Sequence, residues 1–350
     1  MSATSLRGNL TSVCDRWAKR PQVGSLSLRV RTPGAEFVYP DNDSTSHLVA
    51  SVTKTFFAAI VVMLERDGIV QRDAPAAAFL PQGMMDGLCV VDGVDYSHQV
   101  TVADLLSHRS GIPDYYVTKK LDPSSNIPDV TAADPGWTAQ DALEIARHLP
   151  GAQLPHRSRT HYSFTNYQLV GQLITHITGL SLSEALKKYI TDPLRLTDTV
   201  LLTHDNLEPF HTAQPILFQR QEYQGARRMA SLRAEGAIVS TTSDVMTFLA
   251  ALTSGSLVGS DRWGVMQEGL GSPFPHVHYG LGVMTLSLPR ILTRLRHVPP
   301  LIGHTGATGF FMFHEPQSGV SVVGSVNQLA KPLESVRFLG SIASRVMTRV

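Results

Sequence analysis

The stretch from Val52 to Leu64 constrains this chain more than any other. It reads Val-Thr-Lys-Thr-Phe-Phe-Ala-Ala-Ile-Val-Val-Met-Leu and stops before Asp67-Gly68. Apolar residues fall on almost every face of a helix of that sequence, not on one stripe. Such a helix has no face to offer to water, so other elements must surround it. At this length it cannot span a bilayer, which takes about 20 apolar residues. A chain of 350 residues is long enough to bury a core of this kind without disulfides or metal ions.

The rest of the chain divides by pattern. A short helix is expected near Leu10 to Trp17. Ser25 to Arg31 alternates polar and apolar, Pro33-Gly34 is a turn dipeptide, and Glu36 to Tyr39 is again extended, which together read as a β-hairpin. The middle offers helices at Val102–Ser107, Ala139–His148, Asn166–Ile177, Leu182–Tyr189 and Ser243–Thr253, each starting near a Thr, Ser or Asn suited to capping. Strands are expected again at Tyr279–Leu286, Pro300–Ile302, Phe310–Phe313 and Val320–Val326, followed by a helix from Leu333 to Met347. The fold class implied is α/β of the α+β kind. One antiparallel sheet is built from both ends of the chain and flanked by helices, and a mostly helical region is inserted between them. The expected organisation is a single unit over 1–350, with 1–66 and 270–350 forming the sheet region and 67–269 the helical one.

Charge and cysteine use narrow the partners. Lys plus Arg number 30 and Asp plus Glu 29, with no run of either sign, which argues against nucleic acid or an anionic membrane as the main partner. The two cysteines, Cys14 and Cys89, lie far apart and imply packed thiols, not a disulfide framework. The opening Met-Ser-Ala-Thr-Ser-Leu-Arg-Gly-Asn-Leu lacks the charged start and apolar stretch of a secretory signal, so the expectation is a cytoplasmic protein.

Three short patterns carry chemistry. Ser51-Val52-Thr53-Lys54 is the only Ser-x-x-Lys in the chain. A three-residue step puts both side chains on one helix face, and a serine at a helix start is surrounded by free backbone N–H groups. Lys54 is followed by Thr55-Phe56-Phe57-Ala58-Ala59-Ile60, and burial there would lower its pKa until it could take the serine proton. The structural alternative is a capping serine beside a lysine that snorkels to water. Tyr162-Ser163-Phe164 lies where a loop enters a helix and could project a phenol into a cleft as a proton relay. Ile302-Gly303-His304-Thr305-Gly306-Ala307 is a glycine-rich strand edge that lets a ligand approach the backbone, with the Ala307 N–H as a candidate oxyanion donor. Each pattern by itself also fits a packed aromatic or an ordinary turn.

In this order the three patterns resemble the serine β-lactamase-like family, which includes class C β-lactamases, DD-peptidases, family VIII esterases and some natural-product transacylases. Leu105 to Asp114, Gly236 to Asp244 and Tyr279-Gly280-Leu281-Gly282 resemble it as well, so the likeness runs from about Leu48 to Asn327. It implies a β-lactamase/transpeptidase-like fold with the site between the sheet and the helical region. It further implies Ser51 as nucleophile, Lys54 as its base partner, Tyr162 as relay, and the N–H groups of Ser51 and Ala307 as oxyanion hole. Phe164, His304, Thr305 and Gly306 are then the substrate-binding positions. His304 replaces a lysine common in the family, as in esterase-like members. Phe164 stands where many β-lactamases and peptidases carry an asparagine that grips a substrate amide. Phenylalanine cannot make that bond, which favours apolar or aromatic acyl groups.

The expected partners are a small-molecule acyl donor, an ester, thioester or amide, and an acceptor that is water, an amine or an alcohol. No cofactor and no metal are expected, since His276 and His278 lack a further ligand close by. A true β-lactamase or D-Ala-D-Ala peptidase is the first alternative, and a non-catalytic binding protein of the same fold is the second. The oligomeric state is not legible.

Overall fold

The computed structural model describes residues 3–41, 43–116, 134–156, 160–218, 220–329, 331 and 333–347. Its largest element is an eight-stranded, wholly antiparallel sheet. From one edge the strands are Gly271–Phe274, Val277–Tyr279, Met284–Leu286, Leu301–Thr305, Phe310–Glu315, Val320–Ser325, Ser27–Thr32 and Ala35–Tyr39. The hairpin near the N-terminus thus continues a sheet made by the last quarter of the chain, with Ser27 opposite Ser325 and Arg31 opposite Ser321.

Both faces of this sheet are covered, which explains why its central strands read as apolar runs. Phe311, Phe313 and Val322 point to one face, where the terminal helices Ala3–Ala18 and Leu333–Val346 pack. Trp17 meets Phe338 there at 5.2 Å between ring centroids. Phe310, Met312 and Val323 point to the opposite face and join the main core. Helix Thr242–Thr253 lies against that face, although its sequence falls inside the stretch 67–269.

The helix expected around Val52–Leu64 is found at Thr53–Arg66, preceded by a 3-10 turn at Ala50–Val52, and every residue from Thr53 to Leu64 is buried. Its Phe56 stacks on Phe248 with ring centroids 3.7 Å apart and planes 10° from parallel. Capping chemistry starts several surrounding helices. Thr101 with Asp104, Thr138 with Asp141 and Ser181 with Glu184 form reciprocal capping boxes, and Thr241 accepts from the Asp244 N–H.

The fold differs from the sequence reading in three places. The single strand expected at Tyr279–Leu286 is a hairpin, in which Val277 pairs with Leu286 and Tyr279 with Met284. Gly280 and Gly282 make the turn because no larger residue fits. A Cβ on Gly280 would meet the Met266 carbonyl oxygen at 2.1 Å, and one on Gly282 (φ 74°) would meet the Ala58 Cβ at 2.2 Å. The segment before Ser243, to which the sequence assigns no element, holds a strand, Ile238–Thr241, the middle of a small sheet with Ser46–Leu48 and Val200–Leu201. All four of its residues are buried, so there was no alternation to read. The helix expected from Asn166 starts at Phe164, which frees the Asn166 side chain for another task.

Truncating the central stack tests this packing. Phe56→Ala is expected to cost about 3–5 kcal/mol of unfolding free energy. Ile69→Ala, at an exposed position, should change it by less than about 0.5 kcal/mol. Denaturant titration of both variants checks the pair, and equal effects would contradict the central role of the helix.

Candidate active site

Ser51 sits in the 3-10 turn that leads into helix Thr53–Arg66 and is 7% exposed. It is not a capping serine, because no side chain caps either that turn or the helix. Lys54 does not snorkel, because it is 0% exposed. Its Nζ donates to Ser51 Oγ at 3.3 Å and to the Glu235 carbonyl oxygen at 2.7 Å. Aromatic faces enclose the amine, with Phe164 at 4.3 Å, Tyr162 at 5.2 Å and Tyr167 at 5.5 Å from their centroids. Burial pushes the lysine down from 10.5 to about 8, against the opposing pull of Glu235 and Asp114. The Glu235 carboxyl is driven the other way, well above the ordinary carboxylate range, again chiefly by burial.

Tyr162 enters from the extended segment before helix Phe164–Thr178. Its phenol has Ser51 as a hydrogen-bond partner, and burial raises its pKa far above 10, so it stays protonated. The segment is clasped to the loop that follows helix Val102–Leu106. Thr165 Oγ1 donates to the Pro113 carbonyl at 2.6 Å and accepts from the Tyr115 N–H at 3.1 Å. Ser110 Oγ donates to Asn166 Oδ1 at 2.6 Å. His108 Nδ1 accepts from the Ser163 N–H at 3.2 Å and lies 3.2 Å from Asn166 Nδ2. The imidazole proton is then on Nε2, and burial lowers the His108 pKa well below 6.5. The neutral ring lies 4.1 Å from that of Tyr162, centroid to centroid.

The third pattern arrives on strand Leu301–Thr305. Gly306 rests on the backbone before Ser51, where an added Cβ would meet the Val49 carbonyl oxygen at 2.3 Å and the Ala50 Cβ at 3.1 Å. Ser51 and Ala307 each follow a member of this contact. Among the described residues, neither of their N–H groups is taken by a backbone carbonyl. Thr305 is half-buried at the strand end. His304 is fully buried, with Nδ1 2.8 Å from the Thr305 carbonyl and Nε2 2.9 Å from the Tyr279 hydroxyl. A carbonyl only accepts, so Nδ1 carries the proton and Tyr279 donates to Nε2. Burial, aided by the nearby lysine, lowers His304 to about 3 and keeps it neutral.

Ser51, Lys54, Tyr162, Phe164, Thr305, Gly306 and Ala307 are thus brought to one place from three separate segments. His304 lies fully buried beside Tyr279, with both nitrogens engaged. The sequence reading passed over His108, Asn166, Glu235 and Tyr279. Glu235 had a legible signal, an acid set in Ala-Glu-Gly-Ala-Ile-Val. The others become visible only through their contacts. His276 and His278 are exposed, and the described residues hold no cluster of three or more metal-ligating side chains.

The sequence signature of the family described as Beta-lactamase matches residues 19–339. The chain belongs to the Beta-lactamase family. Unguisins hydrolase ungD of Aspergillus violaceofuscus is 30% identical over 161 residues, 44% of this chain and 25% of that protein. Esterase EstB of Burkholderia gladioli is 25% identical over 235 residues, 61% of this chain and 57% of that protein. The matched stretch therefore spans only about a quarter of the first relative and little more than half of the second. Among solved structures, the D-amino acid amidase from Ochrobactrum anthropi SV3 has a TM-score of 0.76 at 25% identity, covering 97% of this chain and 98% of that one. EstCE1, described as a hydrolase with promiscuous acyltransferase activity, has a TM-score of 0.79 and covers 99% of both chains. At 16% identity that likeness speaks for the fold alone. These proteins are described as a hydrolase, an esterase, an amidase and a hydrolase with acyltransferase activity. No helix among the described residues is long and apolar enough to cross a membrane.

The clasp around Asn166 is open to test. Asn166→Ala leaves the Ser110 hydroxyl without its acceptor and removes a support of His108, at a cost of about 1–3 kcal/mol. Thermal and denaturant unfolding should show the loss, and an unchanged midpoint would mean the clasp carries no stability.

Proposed function

We propose that this protein is a serine-dependent acyl-transfer enzyme that forms an acyl-enzyme on Ser51. The observation that carries this reading is a fully buried lysine 3.3 Å from the serine hydroxyl and lowered to about 8. At pH 7 roughly a tenth of such a lysine is free amine, against less than about one part in a thousand for an ordinary one. In the proposed reaction Ser51 Oγ attacks the carbonyl carbon of the donor as its proton passes to Lys54 Nζ. The carbonyl oxygen, now negative, is held by the Ser51 and Ala307 N–H groups. Collapse expels the leaving group, which takes a proton through the Tyr162 phenol from the Lys54 ammonium. An acceptor then repeats these steps in reverse and releases the acyl group.

Phe164 supports small esters or thioesters with an apolar or aromatic acyl part as donors. Its ring covers Lys54 and stacks on Tyr116 at 4.9 Å, so an amide in the substrate finds no side-chain amide partner there. We assign Phe164, Thr305 and Gly306 to substrate binding and give His304 the task of holding Tyr279. Water as acceptor makes the enzyme an esterase or amidase, and an amine or alcohol makes it a transacylase. The relatives named as esterase and amidase support the hydrolase end of this range. We also propose a reducing cytoplasm as its compartment. Cys14 and Cys89 are buried free thiols, pushed up to about 12 and about 11. Recovery of the native protein outside the cell would refute that placement.

Ser51→Ala should lose turnover and fluorophosphonate labelling, whereas a decayed binding protein would not label even with Ser51 intact. Lys54→Ala and Tyr162→Phe should each slow acylation by roughly a hundredfold or more, and their double variant should be far from multiplicative. Acylation should rise with pH through an apparent midpoint near 8, because the lowered lysine loses its proton there. Tyr162 adds no second limb below that point. A flat profile between pH 6 and 9 would remove Lys54 as the base.

Donor and acceptor are separated by intact-mass measurement. Simple esters should load Ser51 roughly tenfold to a hundredfold better than penicillins or D-Ala-D-Ala peptides, the scale of one missing or unsatisfied hydrogen bond. Rapid decay of the adduct in buffer indicates a hydrolase, and slow decay hastened by one amine or alcohol indicates a transacylase. Nitrocefin turnover matching the best ester would instead make the protein a true β-lactamase.

A further inference from the structure

Three segments distant in sequence meet at the sheet end farther from Ser51. They are the last turn of helix Ala3–Ala18 with Arg16, the connection 287–300 between two strands, and the last turn of helix Leu333–Val346 with Arg345. The connection is fastened to the last helix. A Cβ on Gly340 would meet the Leu292 carbonyl oxygen at 2.7 Å, and Arg296 Nη1 donates to the Ser344 carbonyl at 3.0 Å. This brings Arg290, Arg294 and Arg296 beside the helix that carries Arg345, whose charged neighbours include Arg294, Arg16 and Arg296. Among the described residues, no salt bridge engages any of these five arginines. The acids close in sequence are committed elsewhere. Asp15 accepts from the Tyr39 hydroxyl at 3.1 Å, and Glu334 pairs with Arg337 at 2.6 Å and Arg20 at 3.7 Å.

The same connection exposes two aliphatic side chains, Ile291 at 82% and Leu295 at 76%. They lie among the arginines, on a backbone with Arg294 and Leu295 both in the left-handed region at φ 56° and 65°. Non-glycine residues are uncommon there, and such conformations persist where the surrounding structure enforces them. The result is a fixed turn that holds apolar side chains out in water inside a ring of unbalanced positive charge.

We propose that the turn 290–297 docks the protein on the surface of an anionic phospholipid membrane. Ile291 and Leu295 enter the boundary between headgroups and acyl chains, and Arg16, Arg290, Arg294, Arg296 and Arg345 face the lipid phosphates. A bilayer suits the turn better than an acidic protein. Protein hot spots favour tryptophan, tyrosine and arginine seated in pockets, whereas this tip offers aliphatic groups on a projecting turn. The five-residue strand Leu301–Thr305 separates the turn from Gly306, a span of about 17 Å. The contact therefore tethers the protein without covering Ser51, and it stands independently of the acyl-transfer reading. The near-zero net charge does not reveal it, because the arginines come from three places in the chain.

Sedimentation with vesicles tests the tether. The protein should sediment with phosphatidylcholine vesicles containing phosphatidylglycerol, not with phosphatidylcholine alone, and high salt should release it. Arg290→Gln/Arg294→Asn should weaken partitioning about 25-fold, at about fivefold per arginine. Ile291→Ser/Leu295→Asn should weaken it by at least about tenfold, on the scale of burying two aliphatic side chains. Asparagine is used because it tolerates the left-handed backbone, and the thermal midpoint of each variant verifies folding. Absence of sedimentation with either vesicle overturns the proposal. So does full binding by a folded Ile291/Leu295 variant, which would leave an anion-binding surface for an acidic protein or nucleic acid and no insertion.

Discussion

The burial of one amine organises this protein. Lys54 is fully enclosed one turn into a helix that has no exposed face before Glu65. Water cannot compensate its charge, and the carboxyl of Glu235, whose carbonyl it bonds, is itself buried and pushed well above the ordinary carboxylate range. What remains for the amine is one serine hydroxyl, one backbone carbonyl and the faces of three aromatic rings. Aromatic faces stabilise an ammonium only modestly, so burial still lowers the lysine to about 8. That balance leaves an appreciable share of free amine at a pH where an exposed lysine is almost wholly protonated.

The groups around it are neutral for the same reason. His108 and His304 are buried, deprotonated and fixed in opposite tautomers, the proton on Nε2 in His108 and on Nδ1 in His304. Each faces the centre through a tyrosine, His108 by packing on Tyr162 and His304 by accepting from Tyr279. Two permanent cations here would have lowered the lysine further and made an anion the natural guest. With both neutral, the region presents aromatic surface and hydroxyl groups in place of fixed cations.

Close approach of backbones is the second requirement. Gly306 lies on Val49 and Ala50, and Gly282 lies on Ala58, so two turns of the sheet touch the serine-bearing element at distances that exclude a side chain. The small sheet of Ser46–Leu48, Ile238–Thr241 and Val200–Leu201 holds the approach to Ser51 from the other side, through the Val49 N–H to Ile238 carbonyl bond at 2.9 Å. Ala50 takes a left-handed φ of 48° at this junction. The serine thus stands where three chain segments converge, and none of them could be displaced without losing the geometry of the others.

Much of this was legible in the amino-acid sequence. The all-round apolar helix, the capping residues, the hairpin at Pro33-Gly34 and the apolar strands near the C-terminus are local patterns, and local patterns survive into the fold because each reflects burial or a backbone preference at its own position. The Ser51–Lys54 spacing is likewise local, since one helical turn sets it. Other features were set by partners distant in the chain. The Tyr279–Leu286 segment folds back because Met266 and Ala58 leave no room for side chains at Gly280 and Gly282. Ile238–Thr241 is a strand because both its faces are covered. The sequence marks His304 as a substrate-binding position, and only the fold shows that the Tyr279 hydroxyl donates to its Nε2. By itself the sequence determined which side chains could do chemistry and which helix had to be central. Tertiary structure alone decided their protonation and their company, because desolvation and hydrogen-bond partners depend on segments that sequence proximity does not link.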